Sequence, residues 1–305
     1  MKKNIVKKIV CGCLMVALVA GSFGLNGSVA KAASNKTPKK PTFYYSNLAD
    51  KKSRAKLDKL MDQAGIYSKR QDIFWAHVNQ FNKAVPKKML VQTMTKYDPN
   101  KPKYDSYDMQ EKWQKKYPDY LGQNCRLTSY TLMGNQIDVK NKNIIRGRLL
   151  MFDKDAAATD PWVKQNKIKK RWWLKDFVKT YSYVPTKATK NVKTHVAAVE
   201  KDWKKRGITF KKNSKASVIN IFFHDNIDGN NIFVGHTGVL FTDKDDLWFL
   251  EKIAFQEPYQ LIKFKNRSQL NYYLMDKYDV EEGQPTAAPF IMENGHLMKG
   301  YKVIR

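Results

Sequence analysis

The spacing of apolar residues changes part-way along the chain. Up to about residue 206 they recur at three- and four-residue intervals, and from residue 217 they alternate or run continuously. The first regime predicts helices. Ser46 is a candidate N-cap for a basic helix that ends at Ala64-Gly65. A second helix fits Ser68–Lys83, with Ile73, Phe74, His77, Val78 and Phe81 on one stripe. A histidine in such a stripe reads as a hydrogen-bonded core residue. Met89–Met94 reads as a short strand, and Asp105–Lys116 as a helix stopped by Tyr117-Pro118. Gly122 permits a turn and Asn124 can cap a helix running from Cys125 through Leu127, Tyr130, Leu132 and Met133. Further helices fit Ile168–Tyr181 and Thr194–Arg206, the latter closed by Gly207. His195, in that helix's first turn, reads as structural or exposed.

The second regime predicts an antiparallel meander. Ser217–Phe223, Asn231–Phe241 and Leu247–Phe255 read as strands, joined by the Asp/Asn/Gly-rich loop 224–230 and the turn 242–246. A helix fits Ser268–Tyr278. Asn294-Gly295 marks a final hairpin between Phe290–Met292 and Leu297–Ile304. Helices first and a meander afterwards predict an α+β domain.

The N-terminus has its own pattern. Lys2, Lys3, Lys7 and Lys8 precede an apolar stretch from Ile9 to about Leu25, and Val29-Ala30-Lys31-Ala32 supplies a small-x-small cleavage pattern. The expected organisation is a signal peptide over 1–32, a disordered leader over 33–41 and one α+β domain over 42–305. Four glycines (Gly12, Gly21, Gly24, Gly27) argue against a permanent anchor. No later stretch reaches the roughly 18 apolar residues of a spanning helix. The mature chain is therefore expected to lie outside the cell.

Charge adds a setting. The chain carries a formal +28; residues 1–32 hold five lysines and no acid, so +23 remains without them. A field of that size attracts polyanions. The lysines are spread out and not gathered in a tail, which favours diffuse association with anionic cell-wall polymers or peptidoglycan. Nucleic acid ranks last, since no base-reading or metal motif accompanies the charge. A monomer is expected.

Cysteine usage points to chemistry. Cys11 and Cys13 fall in the signal segment, so Cys125 would be the single thiol of an exported chain. Packing as a small hydrophobe is one reading of it. The other is a nucleophile, because the first residue of a helix sits where free amides and the helix dipole favour a thiolate. A cysteine nucleophile needs a base and the base needs an orienting partner. His236, between Gly235 and Gly238, is the candidate base. Glu251, on the next strand, is the candidate orienter. It shares a face with His236 if Phe241 pairs with Trp248, and points away if Phe241 pairs with Leu247. Gln256 is the fallback. Asn124 and Arg126 flank the thiol and are candidates to help the Cys125 amide hold an oxyanion, though Asn124 can equally be a cap and Arg126 a solvated charge. The loop 224–230 partly matches a calcium loop, but it lacks the first acidic ligand and has Gly235 at the twelfth position, so a plain turn is the better reading. No two-histidine spacing, CxxC pair or phosphate-binding glycine loop occurs, and no cofactor is expected.

Six stretches together carry a resemblance: FYYSNLADKKS, YLGQNCRLTSYTLM, WKKRGITF, VGHTGVLF, FLEKIAFQEPYQLIKF and LMDKYDVEEGQPTAAPFIMENG. The set resembles domain-of-unknown-function family 4300, exported proteins of Gram-positive bacteria. That resemblance implies secretion and a cell-surface setting and brings no activity. More distantly, a cysteine followed by His-x-Gly-Val-Leu and then a paired strand with a polar residue is similar to NlpC-type papain-like hydrolases. That likeness implies Cys125 as nucleophile, His236 as base, Glu251 as orienter and amide bonds of peptidoglycan stem peptides as substrate. The chain departs from that pattern at Asn124 and Arg126, where those enzymes usually carry Asp and Ser, and at Glu251, where they commonly carry His, Asn or Gln. The alternative is a non-catalytic basic surface protein that binds anionic wall polymers or a host ligand.

Overall fold

The computed structural model describes residues 40–98, 104–141, 143, 145–162, 170–213, 215–280 and 283–304. The expected signal peptide and almost all of the expected leader lie outside the described residues. The elements in chain order are β1 (Tyr44–Ser46), α1 (Lys51–Gln63), α2 (Ser68–Ala84), β2 (Thr95–Lys96), α3 (Ser106–Lys116), α4 (Cys125–Met133), β3 (Ile137–Val139) and α5 (Met151–Thr159). Then come α6 (Lys170–Tyr181), β4 (Val184–Pro185), α7 (Val192–Arg206), β5 (Ile208–Phe210), β6 (Ala216–Asp225), β7 (Asn231–Asp243), β8 (Asp246–Lys252), β9 (Tyr259–Phe264), α8 (Arg267–Tyr278), β10 (Phe290–Glu293) and β11 (His296–Leu297). The chain is mixed α+β, with helices leading and an antiparallel sheet following.

Cap chemistry sets most helix starts. Asp50, Asp105, Asn124, Asn191 and Asn266 each accept a first-turn amide, which satisfies a donor that the helix cannot. Gly207, at φ 62°, closes α7 as expected. Ser46 is not a cap. It belongs to β1, where Tyr44, Tyr45 and Ser46 pair with Lys263, Ile262 and Leu261, and Asp50 starts the helix instead. Residues 89–94 form no strand. Met89 closes a 3-10 turn that begins at Lys87, and pairing begins only at Thr95. The start of the helix expected from Ile168 lies outside the described residues.

The main sheet runs β11-β10-β6-β7-β8-β9-β1-β2, with β4 also paired to β7. The expected three-strand meander thus gains β9, and the Asn294-Gly295 turn, at φ 46° and 90°, joins β10 to β11. Each face of the sheet has its own core. Val218, Phe222, Val239, Phe241, Trp248 and Leu250 pack with the helices that precede the sheet. Ile219, Ile221, Leu240, Leu247, Phe249 and Ile262 pack with Leu270, Tyr273 and Leu274 of α8. This two-sided burial explains the near-continuous apolar runs of β6 to β8.

Two irregularities in β7 open the sheet near His236. The β6–β7 pairing runs from Ala216↔Phe241 to Ile221↔His236, then slips to Phe222↔Val234, so Gly235 is the extra residue of a bulge. On its other side β7 pairs with β4 at Asn231 and Ile232 and with β8 from Val239 to Asp243. Between them, residues 233–238 have no strand partner on that side among the described residues. The N-terminal end of α4 reaches β7 there, since Arg126 Nη1 donates to the Val234 carbonyl at 2.8 Å.

Candidate active site

Asn124 places the thiol. Its side-chain oxygen accepts the Leu127 amide at 2.9 Å, which caps α4 and makes Cys125 the first helical residue. Its Nδ2 donates to Asp153 Oδ1 at 2.8 Å. Arg126 grips the same carboxyl in a two-pronged salt bridge, Nε to Oδ1 at 2.9 Å and Nη2 to Oδ2 at 2.7 Å. Burial pushes the Arg126 guanidinium down, but Asp153 more than offsets it, so the group stays firmly cationic. Both residues beside the cysteine are therefore committed to fixing the helix end, through a carboxyl with no exposed surface. With Leu127 taken, the amides of Cys125 and Arg126 are first-turn donors with no partner inside the helix.

His236 sits on the α8 side of the sheet, because its register partner Ile221 does. Plain alternation from Leu240 places it there, and the bulge at Gly235 puts Val234 and Ile232 on the other face. The two glycines beside it serve neighbours. A Cβ on Gly235 would lie 2.2 Å from the Phe223 ring, and one on Gly238 would lie 2.3 Å from the Phe249 ring. Glycine here admits two aromatic rings against the strand; it does not free the imidazole directly.

Glu251 shares the face of His236. The observed pairs Phe241↔Trp248 and Val239↔Leu250 belong to the register that allows this. Its Oε2 lies 2.6 Å from His236 Nε2. Oε1 accepts from Gln260 Nε2 at 3.1 Å and from the Tyr273 hydroxyl. Burial pushes the Glu251 carboxyl up, but Lys277, His236 and Tyr273 outweigh it and hold it at about 2. A carboxylate only accepts, so Nε2 of His236 carries the proton. That leaves Nδ1 for the thiol.

Cys125 and His236 are electrostatic neighbours, each shifting the ionisation of the other. Burial pushes the thiol up, and His236 with Arg126 pulls it below its ordinary value. Burial pushes the His236 ring down, and Cys125 with Glu251 lifts it to about 9. These opposite shifts are those of a thiolate beside an imidazolium. The Tyr278 ring stacks on His236 with centroids 4.9 Å apart and planes at 28°. Cys125 is 6% exposed, His236 1% and Glu251 0%, so the chain of groups is largely shielded from water.

Other candidate residues have different settings. Gln256 lies in the turn beyond β8, and the ring's carboxylate partner is Glu251. His77 is a core histidine, 2.8 Å from Asp160. His195 is buried, with both ring nitrogens bonded, to Thr186 and to the Thr189 carbonyl. In the loop 224–230, Asp225 accepts the Ile227 amide and Asp228 pairs with Arg148 at 2.6 Å, so both carboxylates have partners within the protein. Among the described residues no group of three or more His, Cys, Asp or Glu is arranged to hold a metal ion. No helix among them is long and apolar enough to cross a membrane.

Periodicity does not mark Asp153, Gln260, Tyr273 or Tyr278 as site residues. Asp153 lies in the first turn of α5, whose Ala-rich pattern carries little periodicity, and Gln260 lies on β9, beyond the strands that the pattern predicts. Tyr273 and Tyr278 fall on the expected last helix, but only the fold shows that it lies over His236.

The family described as Domain of unknown function (DUF4300) matches residues 44–298. The chain belongs to that family. The match spans β1 to just past β11 and so includes every residue of this DUF4300 site. No curated protein and no solved structure matches the chain.

Proposed function

We propose that this DUF4300 protein is a cysteine hydrolase of amide bonds, with Cys125 as nucleophile, His236 as acid and base, and Glu251 as the group that orients the ring. One observation carries the reading: a single buried imidazole is bonded to an ionised carboxylate and exchanges charge influence with a helix-start thiol. The Cys125 thiolate would attack the carbonyl carbon, and the oxyanion would rest on the free amides of Cys125 and Arg126. His236 would give its proton to the departing amine, leaving a thioester. A water, deprotonated by His236, would then release the acid and restore the thiol. Glu251 keeps the ring turned toward the sulfur and favours the imidazolium. This is papain-type chemistry. Stem peptides of peptidoglycan are the proposed substrate, and secretion with charge-driven association to the wall is the proposed setting. The N-terminal pattern and the formal charge of +28 support both.

Purified peptidoglycan incubated with the protein should gain new amino termini, and Cys125→Ala should remove that activity while the circular dichroism spectrum stays native. A wild-type thiol that resists iodoacetamide at neutral pH would sink the proposal. Wall binding with no released fragment, lost in high salt, would favour the non-catalytic alternative.

A further inference from the structure

A cavity of about 250 Å³ lies between the β6–β7 loop, the C-terminal end of α8 and the segment before β10. Phe223, Phe233, Tyr278 and Ile227 give it an apolar wall, and Lys277 and Gln284 are among its polar lining. Three of its walls are parts of the Cys125 site. Tyr278 is the ring stacked on His236. Phe223 is the ring that occupies the space left by the missing Cβ of Gly235, next to His236 in the chain. Lys277 is the ammonium that helps keep Glu251 ionised. Tyr278 therefore belongs both to the cavity wall and to the packing around the His236 imidazole.

One detail points to a ligand. Ile227 stands at the tip of the loop, 83% exposed, on the rim of an aromatic hollow. The volume suits one bulky side chain and is too small for a folded partner.

We infer that this cavity is the specificity pocket of the Cys125 site, and that it takes a bulky apolar, preferably aromatic, side chain of a peptide-like substrate. The inference rests on the hydrolase reading and adds the chemistry of the group recognised. Van der Waals contact with Phe223, Phe233 and Ile227 would supply selectivity, and a polar group beside the side chain would meet Gln284.

The test compares three alkylating probes on the intact protein: iodoacetamide, an N-blocked phenylalanyl chloromethyl ketone and its glycyl counterpart. Iodoacetamide reads only whether the thiol is reactive; if it is inert, the hydrolase reading fails and the pocket falls with it. The ratio of phenylalanyl to glycyl rates reads the pocket and cancels general changes in thiol reactivity. A filled apolar pocket should give a ratio of at least about tenfold. Ile227→Glu, at an exposed loop tip, and Phe233→Arg should each pull the ratio toward one. A reactive thiol with equal rates for the two ketones, or a ratio unmoved by both substitutions, overturns the inference and leaves the hydrolase proposal standing.

Discussion

Replacing Glu251 with glutamine keeps the shape of the side chain and removes its charge. In the native site the carboxylate takes the His236 proton at 2.6 Å and two further donors, Gln260 and Tyr273. A hydrogen bond to a charged partner is worth about 1.5–3 kcal/mol. If most of that favours the imidazolium over the neutral ring, then at 1.36 kcal/mol per pKa unit the His236 value should fall from about 9 by about one to two units. The thiol loses part of its counter-charge, so its value should rise. The predicted observable is the acid limb of iodoacetamide alkylation against pH. In Glu251→Gln that limb should move upward by about one pH unit or more, with labelling near pH 6 slowed by about tenfold or more. Peptide-bond cleavage should fall further, because the ring is also less well oriented. An acid limb that coincides with wild type would refute the reasoning, since the carboxylate would then not be coupled to the thiol through His236.

Three other outcomes depend on the same contacts. Asp153→Ala leaves the largely buried Arg126 guanidinium without its carboxyl and should cost about 3–5 kcal/mol in urea unfolding; a loss below about 1 kcal/mol would mean that the pair does not frame the helix end. Gly235→Ala puts a Cβ 2.2 Å from the Phe223 ring and should cost about 1–3 kcal/mol, with Phe223→Ala in the same chain recovering part of it in a double-mutant cycle. His236 is raised to about 9, so its contribution to stability is complete below its unfolded value of about 6.5 and fades as pH rises through 9; thermal melts of wild type should show that alkaline loss, and melts of His236→Gln should lack it.

The candidate triad is visible in the sequence to the extent that its parts depend on local rules. A cap before Cys125 and a helix after it follow from Asn124 and the spacing of Leu127, Tyr130 and Met133. The histidine on a strand follows from the run 231–241. Glu251 is a conditional candidate, and the condition is tertiary: Phe241 pairs with Trp248, and both then belong to the core under the leading helices, while Leu247 and Phe249 fill the core under α8. Alternation alone cannot choose that register, because both faces of β8 are buried and neither is marked by polar residues. Ser46 misleads for a similar reason. A serine before a basic helical stretch looks like a cap, and only the distant partner β9 draws Tyr44–Ser46 into the sheet. The pocket has no sequence signal, since its walls come from three segments brought together by the fold.

Asn124 and Arg126 are where the chain departs most from the NlpC-type pattern, and the geometry gives those departures work to do. The thiol enters from the helical side of the sheet, while His236 and Glu251 stand on the α8 side. Such a meeting needs a gap in the sheet and a fixed depth of insertion. The gap exists because β4 and β8 pair with β7 on either side of the bulged stretch, which leaves the Val234 carbonyl for Arg126. The depth is set because Arg126 is held at once by that carbonyl and by Asp153, while Asn124 ties the cap to the same carboxyl. An acid and a serine at these two positions could not make this clamp, since neither offers a guanidinium fork to Asp153 and the strand together. In the proposed reaction the residues beside Cys125 therefore need not touch substrate. They determine where the sulfur stands relative to the ring, and they would leave oxyanion binding to the backbone amides that the cap does not use.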